Sequence, residues 1–488
     1  MSLSKISLRE LAAEFYFKPR DHYYEDIRKR LGIRPVAFPV HNLEANQFIL
    51  PNNMNNNNVA EESQLETHVN KAVAFMNQLF VELHLTDLGR TPIHNYNHNW
   101  VKYVAANIPS WHKYFSGAIT INMYLQIVPS EFQTEDHMKV VYMLFAVVEL
   151  LTSSIILCDD MLDMSPLRGN KPSWFMQHPV TSVVDSNLLV SMAFQILRKL
   201  FPRDHPCYEE ILERSHDYIS TSWWYFGYDS VLWNAIGQHR YGEFMRQAGH
   251  QANLPGMGIP SAKLKNGDTG QEQCHIPFDE IDLNAYWEIS TIRVHQFIQY
   301  VAHMGRLAAC YKSVDIGKCD VLLASSAHLM STLEDFYDYV KKGPGRYDDT
   351  KEGVVNVFIS TLMTMVKSDL FNEQEKTEIM DVLWRRFGTK SDEDAEEVLV
   401  LYEKYGVVKE VQKYLHECVD FLDDCSKTEC LEVNFPFRVV LDATLYMGMS
   451  DESLDVESKD RLLAIRKRFS GSESSMPMDI FRAMIELN

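Results

Sequence analysis

A chain of 488 residues can bury a substantial core, as one large domain or two. Its formal charge of −20 at pH 7 argues against nucleic acid or an anionic membrane as a partner, so any anionic ligand needs local help from metal or arginine. The eight cysteines (Cys158, Cys207, Cys274, Cys310, Cys319, Cys418, Cys425 and Cys430) form no CxxC pair and no Cys/His zinc spacing, and read as the reduced thiols of an intracellular protein, cytoplasmic or carrying a short organellar transit peptide.

The N-terminus mixes charge with apolar residues at helical spacing (Leu8, Leu11, Ala12, Phe15) and lacks the apolar core of an export signal. Pro35, Pro39 and Pro51 and the Asn-rich run from Asn52 to Asn58 predict a linker, so residues 1–62 form an appendage to the rest of the chain. Helical periodicity resumes over Gln64–Leu85, with Leu65, Val69, Ala72, Phe75 and Leu79 on one face. The apolar stretch Val140–Cys158 is interrupted by Glu149, Thr152, Ser153 and Ser154, which suits a buried core helix better than a membrane span.

That helix runs into Asp159-Asp160-Met161-Leu162-Asp163. Aromatic residues Trp223, Trp224, Tyr225, Phe226 and Tyr228 come next, then a Gly- and Pro-rich insertion over 248–282. A second cluster, Glu334-Asp335-Phe336-Tyr337-Asp338, closes another helical stretch. Each cluster puts carboxylates at i, i+1 and i+4, so the outer two share a helix face one turn apart. Two such faces opposed across a bundle make an oxygen-rich cage for Mg²⁺, which bridges carboxylates to phosphate oxygens. Asp423-Asp424 lacks an i+4 carboxylate and reads as surface, while His94, His98, His250, His275 and His295 form no ligand set. No sustained two-residue alternation occurs over 100–450. The expected fold class is therefore all-α, a single large helical bundle over 63–450 with a tail over 451–488.

Flanking residues sharpen this. The first cluster is followed by Ser165, Pro166, Leu167, Arg168 and Gly169 and then Pro172-Ser173-Trp174; the second is followed by Gly345-Arg346-Tyr347-Asp348-Asp349-Thr350-Lys351-Glu352. In these motifs the chain resembles the trans-isoprenyl diphosphate synthases and their terpene-forming relatives, helix by helix over about 100–450. The resemblance implies the isoprenoid synthase bundle, a homodimer, and three Mg²⁺ gripping a prenyl diphosphate. It assigns Asp159, Asp163 and Asp335 to those ions, with Asp160, Glu334 and Asp338 as direct or supporting ligands. Arg168, Arg293 and Arg346 are candidate diphosphate clamps, because the guanidinium fork matches phosphate oxygens. Metal and arginine would let the diphosphate leave and generate an allylic cation.

Departures from the family pattern concern a second substrate. Relatives hold isopentenyl diphosphate with Gly-Gly-Lys-x-x-Arg, a Gln before the first cluster and Arg-Arg-Gly after it. This chain reads Pro109-Ser110-Trp111-His112-Lys113-Tyr114-Phe115-Ser116, then Thr152, then Arg168-Gly169-Asn170. The leading expectation is accordingly a terpene synthase that ionises farnesyl or geranylgeranyl diphosphate alone, with Trp224 and Tyr228 cradling the cation. Ser154 and Ile155 stand where bulky residues shorten the product in relatives, so a C15 or C20 chain is expected. The alternatives are a prenyl-elongating transferase sustained by Lys113, Arg168 and Lys171, transfer to another acceptor, or a non-catalytic partner subunit.

Overall fold

The computed structural model describes residues 28–34, 64–83, 103–104, 107, 114–128, 130, 133–162, 165, 167–168, 171–226, 281–310, 316–340, 347–368, 370–389 and 391–428. In chain order these include helices α1 (Gln64–Leu83), α2 (Phe115–Ile127) and α3 (Glu135–Leu162). A two-stranded ribbon follows, β1 (Leu167–Arg168) and β2 (Lys171–Pro172), then α4 (Trp174–Gln177), α5 (Ser182–Gln195), a π-helical turn (Ile196–Leu200) and α6 (208–226). The second half holds α7 (Leu283–Ser290), a π-helical turn (Thr291–His295) and α8 (Gln296–Ala308). It continues with α9 (Ile316–Val340), α10 (Asp348–Glu352), α11 (Val357–Lys367), α12 (Glu373–Arg386), α13 (Asp392–Lys404) and α14 (Val407–Thr428). The Asn-rich linker, the insertion up to residue 280 and the tail after 450 lie outside the described residues.

The all-α expectation holds, and α3 explains why. Every residue from Val140 to Ser154 is buried, because α1, α2, α5 and α8 surround the helix. A helix covered on all sides must be apolar on all sides. Its length and composition would let it cross a membrane, yet 89% of its most apolar window is buried in protein. Glu149, Thr152, Ser153 and Ser154 are buried polar residues of this helix, and Glu149 accepts a hydrogen bond from the Gly117 amide at 2.5 Å. Burial pushes its carboxyl well above the usual range, and the Gly117 amide works against that rise.

Among the described residues, two apolar clusters form the core. The first gathers α1, α2, α5 and α8 around α3; the second gathers α9, α11, α12, α13 and α14. Ile155 packs against both, and Cys158 belongs to the second. The C-terminal turns of α3 therefore lie at the seam, which is where the first acidic cluster sits.

The ribbon departs from a purely helical expectation. Its strands pair antiparallel, Leu167 with Pro172 and Arg168 with Lys171. Two residues per strand are too few to leave an alternating pattern in the sequence.

Candidate active site

Asp159 and Asp160 occupy the last turn of α3 and face different surroundings. Asp159 keeps 21% of its side chain exposed, while Asp160 is 1% exposed. The ribbon turns the chain back so that Arg168 Nε donates to Asp160 Oδ1 at 2.9 Å, with Nη2 on the same oxygen. Arg168 Nη2 also lies 3.6 Å from Asp159 Oδ2. Burial raises the Asp160 carboxyl to about 6 despite the arginine beside it, and Asp159 and Glu352 add to the rise. Its second oxygen, Oδ2, is buried with no hydrogen-bond partner among the described residues.

The second cluster comes from the last turns of α9. Glu334 is exposed and Asp338 partly so, whereas Asp335 is 5% exposed. Asp335 Oδ2 accepts from the Tyr286 hydroxyl at 2.7 Å and from the Val357 amide at 2.8 Å. Val357 is the first residue of α11, so the carboxylate rests against the positive end of that helix. Burial raises its pKa first, and the neighbouring Glu334 charge second.

Arg293 joins the two clusters. It lies in the π-helical turn between α7 and α8; such a turn re-aims side chains relative to an α-helix and is common at functional sites. The Tyr225 oxygen, then the carboxylates of Asp159, Glu334 and Asp349, hold its guanidinium charged more firmly than usual. A second tie runs from Ser165 Oγ to Glu352 Oε1 at 3.1 Å.

Asp349 is a site residue that the sequence pattern does not single out. It enters through α10, a one-turn helix preceded by Tyr347 in the left-handed region at φ 64° and closed by Gly353 at φ 79°. Burial raises its carboxyl well above the usual range, followed by the charges of Asp335, Glu334 and Asp338; Arg293 opposes them. The signal available is its place in the run Asp348-Asp349 behind the second cluster, but spacing does not say which of the pair turns inward.

The other candidates divide. Ser154 is fully buried and bonds Ser186 Oγ at 2.9 Å, so it turns toward α5, while Ile155 sits between the two cores. Trp224, expected beside the cation, is instead 81% exposed among the described residues. A helix that buries Tyr225 and Phe226 turns the preceding position outward, and Tyr225 is the ring that meets Arg293. Lys113, Asp163, Tyr228 and Arg346 lie outside the described residues.

The donor set fits hard divalent cations. Asp159, Asp160, Glu334, Asp335, Asp338 and Asp349 gather around Arg293 and Arg168, leaving an excess of negative charge in a partly buried space. Burial raises the Asp160, Asp335 and Asp349 carboxyls first and neighbouring carboxylates add to the rise, while Asp160 Oδ2 stays without a hydrogen-bond partner among the described residues. All-oxygen donors suit Mg²⁺ rather than a thiol-preferring metal.

Known proteins resemble this chain in part of its sequence and in its fold. The family model Polyprenyl synthetase matches residues 107–222, a span that includes the first acidic cluster. A geranyl diphosphate synthase of Ips pini is 26% identical over 119 residues, 24% of this chain and 28% of that protein. A farnesyl pyrophosphate synthase of Schizosaccharomyces pombe is 30% identical over 107 residues, 22% of this chain and 30% of that one. The matches thus span less than a third of these curated relatives. Among solved structures, T. brucei farnesyl diphosphate synthase superposes with a TM-score of 0.60 at 16% identity, covering 77% of this chain and 97% of that one. The same enzyme complexed with a bisphosphonate gives 0.56 at 16% identity, covering 78% and 98%. At such identity the likeness establishes the fold.

Proposed function

We propose that this chain, which is similar to the polyprenyl synthetase family over residues 107–222 and to farnesyl diphosphate synthase in fold, is a prenyltransferase of the prenyl diphosphate synthase type, acting on an allylic diphosphate held through Mg²⁺. The observation that supports it best is the convergence on Arg293 of carboxylates from three separate segments: Asp159 of α3, Glu334 of α9 and Asp349 of α10. Six carboxylates around two arginines have little structural use in an empty bundle. They suit a site that admits metal together with a polyanion.

Asp159, Asp163, Asp335 and Asp349 would hold the metal, with Asp160, Glu334 and Asp338 in support; three ions is the number the resemblance implies. Magnesium, when bound, supplies the positive charge that lets diphosphate depart. Arg293 would bind the diphosphate oxygens, since carboxylates of both acidic clusters act on its charge. Arg168 has a different part. Its fork is committed to Asp160 and Asp159, so it fixes the first cluster.

This order reverses the leading sequence expectation. The relatives that match are named as geranyl and farnesyl diphosphate synthases, which favours prenyl transfer over ionisation of a single substrate. Terpene formation stays as the second reading on one observation. Where a second diphosphate would need basic groups, the Tyr114 ring lies tilted 5.9 Å from that of Phe145 and the Phe115 ring tilted 6.1 Å from that of Phe297, and Thr152 is buried.

The deciding experiment incubates purified protein and Mg²⁺ with geranyl, farnesyl or geranylgeranyl diphosphate, each with and without isopentenyl diphosphate, and reads products by mass spectrometry. Longer prenyl diphosphates that need isopentenyl diphosphate support the transferase. A hydrocarbon or alcohol from one diphosphate alone supports the terpene synthase, and no product with any of them rejects both in favour of another acceptor or a partner subunit. Sedimentation of the same sample tests the homodimer that the resemblance implies.

A further inference from the structure

The hydrogen bonds around Asp335 distinguish its two oxygens. Oδ2 receives both the Tyr286 hydroxyl at 2.7 Å and the Val357 amide at 2.8 Å. Tyr286 is 2% exposed, and burial keeps its phenol protonated well beyond neutral pH. Its single proton goes to the nearer acceptor, since Thr332 Oγ1 stands 3.4 Å away and donates its own proton to the His328 carbonyl at 2.8 Å. The tyrosine itself is anchored. Its ring lies 5.5 Å from that of His328, which bonds Ser290 through Nδ1 and the Tyr414 hydroxyl through Nε2, both at 2.6 Å. Four helices thereby fix one carboxylate: α7 through Tyr286, α9 through Asp335 itself, α11 through the Val357 amide and α14 through Tyr414.

We propose that Tyr286 is a positioning residue that commits Asp335 Oδ2 to the protein, leaving Oδ1 as the one oxygen presented to a divalent cation. The proposal rests on the metal reading of the site given above. A carboxylate without such restraint rotates and binds either through one oxygen or through both, and each mode places the ion differently. With Oδ2 held by two donors, only the single-oxygen mode remains, and the ordering is completed before the ion arrives. Supporting hydrogen bonds of this kind are worth about 10–100-fold in metal affinity. Asp335 is the suited member of its cluster, since Glu334 is exposed and the last turn of α9 carries Asp338 only partly buried.

The test uses the full chain, Mn²⁺ and inorganic diphosphate, with free Mn²⁺ counted by electron paramagnetic resonance and the melting temperature measured alongside. Tyr286→Phe keeps the ring and removes the donor. The expected result is a ten- to hundredfold weaker Mn²⁺ affinity, with the melting temperature close to that of the parent. In turnover assays the Mg²⁺ concentration for half-maximal rate rises, while kcat at saturating Mg²⁺ falls much less. His328→Gln removes the ring that anchors Tyr286 but leaves both donors to Asp335 Oδ2 in place, so a smaller loss of Mn²⁺ affinity is expected there. Unchanged Mn²⁺ affinity in Tyr286→Phe, or an equal loss in both variants, overturns the proposal. Failure of the parent protein to bind Mn²⁺ with diphosphate is a different result: it overturns the metal reading itself.

Discussion

Asp348 and Asp349 are neighbours in the chain with opposite environments. Asp348 is about half exposed and pairs with Lys351 at 2.7 Å, an i,i+3 surface contact of small energetic weight. Asp349 lies among Asp335, Glu334, Asp338 and Arg293. Asp349→Asn is therefore expected to lower kcat/KM by about 10²-fold or more, the usual cost of removing one preorganised electrostatic group. Asp348→Asn should stay within about twofold, and steady-state assays at several Mg²⁺ concentrations check both. Arg168 belongs to the same scale. Arg168→Leu leaves the buried Asp160 without its cation, and loss of one partner of a buried pair costs about 3–5 kcal/mol. The side chain is 32% exposed, so the lower part of that range is expected in denaturant unfolding, with Arg168→Lys intermediate because it loses the fork.

Among elements, the contact of α2 with α8 is a tight constraint set by backbone. A Cβ on Gly305 would stand 2.4 Å from the Thr120 carbonyl oxygen and 2.5 Å from Met123 Cβ. Alanine is the better helix former by about 1 kcal/mol, but that gain is smaller than the clash. Backbone cannot give way as a flexible side chain does, and overpacking costs about 1–3 kcal/mol. Gly305→Ala should therefore lower the midpoint of denaturant unfolding, and a raised midpoint would show that the helices separate freely. The Thr120 hydroxyl, which bonds the Val301 carbonyl at 3.0 Å, joins the same two helices by a polar contact.

Over the whole molecule, buried titratable groups set how stability responds to acid. Burial lowers His205 to about 4 from its ordinary value of 6.5. Between those values the unfolded chain takes up a proton that the folded chain refuses, so this group makes stability fall as pH drops from about 6.5 to about 4 and adds no slope outside that window. Asp160, raised to about 6, acts in the opposite sense, since there the folded state holds the extra proton. His205→Asn keeps an acceptor for the Cys207 amide, which bonds Nδ1 at 3.1 Å, and removes the titration. The expected outcome is a shallower loss of stability between pH 6.5 and 4 than in the parent, measured by urea unfolding across that range. An unchanged slope would exclude His205 as its source.

The sequence by itself determined the fold class, the buried character of α3 and the two carboxylate clusters at helix ends. Periodicity and i,i+4 spacing are local properties, and the surrounding chain cannot alter them. It also carried the resemblance that the comparisons bear out for the superfamily. Only the tertiary structure decided which carboxylates meet. Asp349 reaches the site because Tyr347 takes a left-handed turn, Arg293 because a π-helical turn re-aims it, and Trp224 faces outward because Tyr225 and Phe226 take the buried positions. The partners of Arg168 were decided for the same reason. A two-residue ribbon folds it back onto Asp160, and a charge's partner is set by distance in space, which spacing along the chain does not record.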